Sequence, residues 1–165
     1  MERNCDEVRN DNSVSTEQKA SQNIANAIDE LIAKGYITSR PILVGDVENE
    51  VADFANSIGN PLQSNSMYFT GGGITHALRG TKQNKGVAVD NEDFVAFPFN
   101  RSKMSIYYDI ETKRYTYTDG KNKFIVEPNA KVKLKNEKEA VVSLITATKM
   151  RRTDEFCMDK YKKVK

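Results

Sequence analysis

The chain has 165 residues, with 25 lysines and arginines against 23 aspartates and glutamates, for a formal net charge of +2. That length supports one domain with a real core, and the near balance of charge does not by itself mark a nucleic-acid binder. No apolar run approaches the roughly 18 to 20 residues of a spanning helix, and the acidic, polar start lacks the basic-then-apolar order of a signal peptide. Cys5 and Cys157 stand near opposite ends and cannot define a disulfide framework, so a reducing compartment is expected. With a single histidine and no clustered thiols, the soft ligands of a structural zinc site are missing.

Residues 1–14 hold four acidic and two basic residues and only two valines, which reads as a disordered lead-in. An N-terminal helix is expected within residues 15–40. Ala20, Ile24, Ala27, Ile28, Leu31 and Ile32 recur at helical spacing, Ser15 and Gln18 form a capping box, and Gly35 supplies a stop. Pro41 to Gly45 reads as a strand. Asp46 is expected to cap a second helix carrying Val47, Val51, Phe54 and Ile58, ended by Gly59 and Pro61. Ser66 to Thr70 then reads as a strand, Gly71 to Gly73 as a flexible turn, and Ile74 to Arg79 as a short helix before Gly80.

From Phe94 onward the period is mostly two. Strands are expected at Phe94–Phe99, with Pro98 at a strand edge, and around Met104–Ile110, Tyr115–Tyr117, Phe124–Val126, Val132–Leu134 and Val141–Thr148. Turn signals fall at Asp119-Gly120 and Pro128-Asn129. The expected fold is α+β, with N-terminal helices packed on a curved antiparallel meander of five or six strands, spanning residues 41–150. Residues 151–165 form a basic tail. From Lys149 to Lys165 there are seven lysines or arginines against three acidic residues, suited to a solvated end or to an electrostatic arm for phosphates.

Chemistry concentrates first in Thr70 to Gly80. On a helix, Ile74, Ala77 and Leu78 share one side and Thr75, His76 and Arg79 the other. An imidazole and a guanidinium three residues apart, with Lys82 and Lys85 following and no acid before Val89, make a positive field suited to a phosphodiester. The dipole of a helix N-terminus and the nearby cations would lower the histidine pKa and favour a base. The bland reading of the same residues is an ordinary surface helix. The triple glycine lacks the Gly-Lys-Ser/Thr ending of a Walker motif. A second candidate is Thr146 and Thr148 on one strand face beside Lys149, against which stands the ordinary preference of threonine for strands. Tyr107, Tyr108, Tyr115 and Tyr117, interleaved with Lys113 and Arg114, suit base stacking or plain core pairing. No nucleophile elbow, cysteine–histidine pair or distinctive carboxylate pair occurs.

The order of Gly59-Asn60-Pro61-Leu62, the strand Met67 to Thr70, the helix Ile74 to Arg79, the meander and the final Ile145-Thr146-Ala147-Thr148 resembles the Barnase-EndoU-colicin-RelE superfamily. The likeness is to its phage-associated and contact-dependent toxin branches. The resemblance implies a metal-independent endoribonuclease with no cofactor, cleaving RNA by transesterification to a 2′,3′-cyclic phosphate, with tRNA one candidate target. It implies catalytic roles for His76, Arg79 and Thr146, with Thr148 where several members carry tyrosine. Thr70, Thr75, Lys82, Lys85 and Lys149 would hold the substrate. An immunity or antitoxin protein would be a partner, and the cytoplasm the place of action after delivery by a phage or secretion system. Many members have a second histidine close behind the first, and this chain does not. Either another group supplies the second proton transfer, or the chain is a non-catalytic RNA- or protein-binding module on the same fold.

Overall fold

A computed structural model describes residues 15–151 and 156–165. The expected lead-in at residues 1–14 lies outside the described residues. The first helix, α1 (Thr16–Lys34), forms as its sequence dictates. Ser15 and Gln18 make the reciprocal capping box, Ala20, Ile24, Ala27 and Ile28 turn inward, and Gly35 at φ 85° donates its N–H to the Leu31 carbonyl at 2.8 Å. Strand β1 (Ile42–Asp46) follows, then α2 (Asn49–Ser57).

Asp46 does not cap α2. The cap position is Glu48, and its side chain makes no capping bond because its carboxylate is committed elsewhere. It accepts from the Tyr117 hydroxyl at 2.5 Å and pairs with Arg101 at 3.3 Å, while Arg101 also donates to the Asp46 carbonyl at 2.7 Å. Burial, together with the Glu48 charge, pushes the Tyr117 phenol well above its ordinary range, so it stays a donor. Tyr117→Phe removes one hydrogen bond to a charged acceptor and is expected to cost about 1.5 kcal/mol, read as a lowered urea midpoint with unchanged slope.

Strand β2 (Ser66–Phe69) leads into α3 (Gly71–Ala77), α4 (Gly80–Asn84) and α5 (Asn91–Asn100), closed by a 3-10 turn at Arg101–Lys103. Two expectations fail here. The glycines are the first turn of α3, not a loose turn. The segment Phe94–Phe99 is helical, with Pro98 buried inside α5 instead of at a strand edge. A short apolar run does not distinguish strand from buried helix by period alone, and tertiary packing decided it. Phe94 and Phe97, three apart on one face of α5, are both fully buried. Phe97 lies 4.5 Å from Phe124 and 5.2 Å from Phe69, and Phe94 lies 5.6 Å from each of these rings.

The remaining strands are β3 (Ser105–Asp109), β4 (Arg114–Thr118), β5 (Asn122–Leu134), β6 (Glu137–Lys149) and β7 (Tyr161–Lys163). They complete a seven-stranded sheet in the order β1-β2-β6-β5-β4-β3-β7. The fold is α+β, and β3 to β6 form the antiparallel meander, while β2 runs parallel to β6. Pro128-Asn129 is a bulge inside β5 instead of a turn between two strands. Asn129, at φ 55°, accepts from the Gln63 N–H and donates to the Pro61 carbonyl. Part of the expected tail joins the sheet: β7 pairs antiparallel with β3. Tyr108, Tyr115 and Tyr117 belong to the core, and Tyr107 on the other face stacks on Phe156 at 4.2 Å, so three of the four tyrosines offered for base stacking are packing residues.

Candidate active site

The site begins with a close approach. The N–H of Gly73 donates to the Thr70 hydroxyl at 3.0 Å, so Thr70 is the cap of α3. A Cβ on Gly73 would lie 2.5 Å from the Leu144 carbonyl oxygen, so only glycine lets α3 lie this close to β6. Ile74, Ala77 and Leu78 then face the core, while His76 and Arg79 are exposed and Thr75 is half-buried. The expected sidedness of this segment holds. Its polarity does not: His76 sits in the last turn of α3, away from the helix N-terminus.

The Arg79 guanidinium lies 2.9 Å from the His76 Nε2. Because arginine only donates, this bond makes Nε2 the acceptor and puts the ring proton on Nδ1. The His76 pKa is lowered from its ordinary 6.5, first by desolvation, then by the charges of Arg79 and Lys82. The direction matches the sequence-based expectation, but the helix N-terminus has no part in it. The imidazole is therefore neutral at pH 7, with its basic lone pair engaged by Arg79. Arg79→Gln is expected to move the His76 titration upward and to release the Nδ1–H tautomer. As the only histidine of the chain, His76 gives one resolved imidazole signal in an NMR titration.

Beyond its pairing with β2, the outer half of β6 is met by the segment after α4. The Val87 carbonyl accepts from the Lys149 N–H at 2.7 Å and from the Thr148 hydroxyl at 2.9 Å. From α4, the half-buried Lys82 ammonium donates to the Thr146 hydroxyl and to the Ala147 carbonyl, the latter at 2.9 Å. With its oxygen accepting from Lys82, the Thr146 O–H is left to donate into the site. Lys82 has its pKa lowered by desolvation and by the charges of Arg79 and Lys123. Among the described residues, the charges that shift His76 and Lys82 are those of Arg79, Lys82 and Lys123, all positive. An anion entering here would relieve that repulsion.

The structure thus brings Thr146, 64 residues further on, to Lys82 and so to His76 and Arg79. It does not bring in all of the others. Thr70 is a helix cap, and the Thr148 hydroxyl is spent on Val87. Lys149 pairs with Asp90 at 3.2 Å, and Lys85 is an exposed residue at the end of α4. Thr75, half-buried on α3, has no side-chain hydrogen-bond partner among the described residues. Lys123 is the residue that sequence reading missed. It reaches the cluster because β5 pairs Lys123 with Thr148, and only the hairpin register would have revealed it.

No protein-family model matches the chain, and no curated protein or solved structure matches it. Among the described residues, no group of three His, Cys, Asp or Glu side chains is arranged to hold a metal ion, and no helix is long and apolar enough to cross a membrane.

Proposed function

We propose that the protein is a metal-independent endoribonuclease that cleaves by transesterification. The observation that carries this reading is one neutral imidazole, its lone pair held by a guanidinium, beside an anchored ammonium and a hydroxyl, with the charges of Arg79, Lys82 and Lys123 all positive around them. A phosphodiester draws Arg79 onto its non-bridging oxygens, where the guanidinium binds two of them. That movement frees the His76 Nε2 to take the ribose 2′-hydroxyl proton as the 2′-oxygen attacks phosphorus. Thr146 and Lys82 donate to the charge that grows on the phosphate. Lys82, with its lowered pKa, then gives a proton to the departing 5′-oxygen, filling the role of the second histidine that this chain lacks. The products are a 2′,3′-cyclic phosphate and a free 5′-hydroxyl.

The substrate is RNA, with tRNA one candidate. Such an activity suits a toxin or phage-linked effector acting in the cytoplasm of a target cell, restrained elsewhere by an immunity or antitoxin protein over the His76 surface. A 20-nucleotide RNA carrying a single 2′-deoxy nucleotide at the cleaved position tests the chemistry. Loss of cleavage at that position alone is expected. Cleavage there at an unchanged rate would exclude attack by the 2′-hydroxyl and point to hydrolysis by another nucleophile, whereas RNA left intact by the folded protein would favour a binding module.

A further inference from the structure

Away from His76, β5 and β6 run on past their neighbours. Pairing of β4 with β5 stops at Val126, and β2 meets β6 only at Val142 and Ser143. Ala130–Leu134 and Glu137–Val141 therefore form a two-stranded ribbon whose strands pair only with each other. The segment Lys-Val-Lys-Leu-Lys-Asn-Glu-Lys-Glu from Lys131 to Glu139 holds the makings of cross-strand lysine–glutamate pairs. The register does not use them. It sets Lys133 directly against Lys138 and Lys131 against Ala140, while Glu137 and Glu139 face Leu134 and Val132.

Like charges directly opposite one another in a hairpin repel, so this register works against the ribbon's own stability. Alternation then gives one face Lys131, Lys133 and Lys138, all exposed, and the other face both glutamates. None of the three lysines forms an ion pair with a described residue, and Lys135 adds a fourth exposed cation at the turn. Charges sorted by face, at a cost in pairing, suit a polyanion laid along that face. The same strand continues from Lys138 through eight residues to Thr146, a span of about 26 Å at the rise of a β-strand, and the β6 bulge opposite Ile125 and Val126 sets Thr146 on the face opposite Lys138, so a strand touching both passes from one face to the other.

We infer that the lysine face of the β5–β6 ribbon is a second contact for the phosphate backbone of RNA, remote from the reacting bond. This rests on the reading of the His76 cluster as the cleavage site. A dinucleotide fills the cleavage site alone, whereas a longer strand reaches both.

The test uses a labelled 20-nucleotide RNA fully 2′-O-methylated, which cannot be cleaved by transesterification, with the parent chain and the variant Lys131→Gln/Lys133→Gln/Lys138→Gln. Binding is followed by anisotropy from low to high salt. The expected result is weaker binding by the variant, with a salt slope shallower by about 2, since each phosphate contact to a single strand contributes about 0.7. Dinucleotide cleavage stays at the parent rate. Glu137→Gln/Glu139→Gln, on the other face, leaves affinity unchanged or raised. Equal affinity and slope for parent and lysine variant, both folded by circular dichroism, would overturn the proposal. Binding to polyglutamate but not RNA, with the same lysine dependence, would overturn it in favour of an acidic protein partner. Failure of the nuclease reading looks different: no cleavage of any RNA by the parent, whatever the ribbon binds.

Discussion

His76→Ala is expected to lower RNA cleavage by about two to four orders of magnitude, the usual contribution of a positioned acid–base group, while leaving the fold intact. The imidazole is exposed in the last turn of α3, and its hydrogen-bond partner among the described residues is Arg79, so no buried contact is lost with it. Its thermal midpoint should remain that of the parent. The acid side of the rate profile carries a second mark of the same residue. A base must be unprotonated, and the His76 pKa is depressed, so activity of the parent should persist below pH 6.5 and fall only as the ring is protonated. Arg79→Gln should move that limb upward while also weakening substrate binding. An alanine variant as active as the parent would remove His76 from the chemistry.

Gly73→Ala is the second large effect, and it acts through the fold. The added methyl would meet the Leu144 carbonyl oxygen at 2.5 Å and the Thr70 hydroxyl at 3.3 Å. Leu144 lies on β6, paired with Val126 of β5 and next to Ser143, which pairs with Tyr68 of β2, so its backbone is not free to give way. The helix must move instead. Overpacking of this kind costs about 1 to 3 kcal/mol, and His76, three residues further along the same helix, shifts with it. A misplacement of about 1 Å in a reacting group is enough for a hundredfold loss of rate. Gly72→Ala is the matched control, because the nearest atom to its Cβ is 4.0 Å away. It should be close to parent in both stability and rate. If Gly73→Ala equalled Gly72→Ala in both, the close approach of α3 to β6 would not be what positions His76.

Much of the fold was legible because the signals were local. The Ser15–Gln18 box, the Gly35 stop and the period-two strands β3 and β4 each depend on neighbours in sequence, and each appears where it was expected. The failures share a different cause. Phe94–Phe99 carries no period that separates strand from helix, and only the rings of Phe69 and Phe124, far away in the chain, decide the matter. Glu48 displaced Asp46 at the start of α2 because Tyr117 and Arg101 claim its carboxylate. Pro128-Asn129 carries good turn chemistry, yet the bulge it makes is held by Pro61 and Gln63.

The site divides the same way. His76 and Arg79 are neighbours on one turn of chain, so spacing alone put them together. The link from Lys82 to Thr146 spans 64 residues and depends on α4 lying against the outer half of β6. Lys123 needed the β5–β6 register, which two bulges make unreadable from period alone. Thr70 and Thr148 show the reverse problem. Their residue type suited a phosphate, but a helix cap and a backbone carbonyl took the hydroxyls first.

The most direct measurement is incubation of the purified chain with total RNA in EDTA, followed by chemical analysis of the fragment ends. The account expects cleavage that leaves 2′,3′-cyclic phosphates and 5′-hydroxyls, at a rate unaffected by the chelator. Fragments bearing 3′-hydroxyls and 5′-phosphates, or RNA left intact by the folded protein, would contradict it.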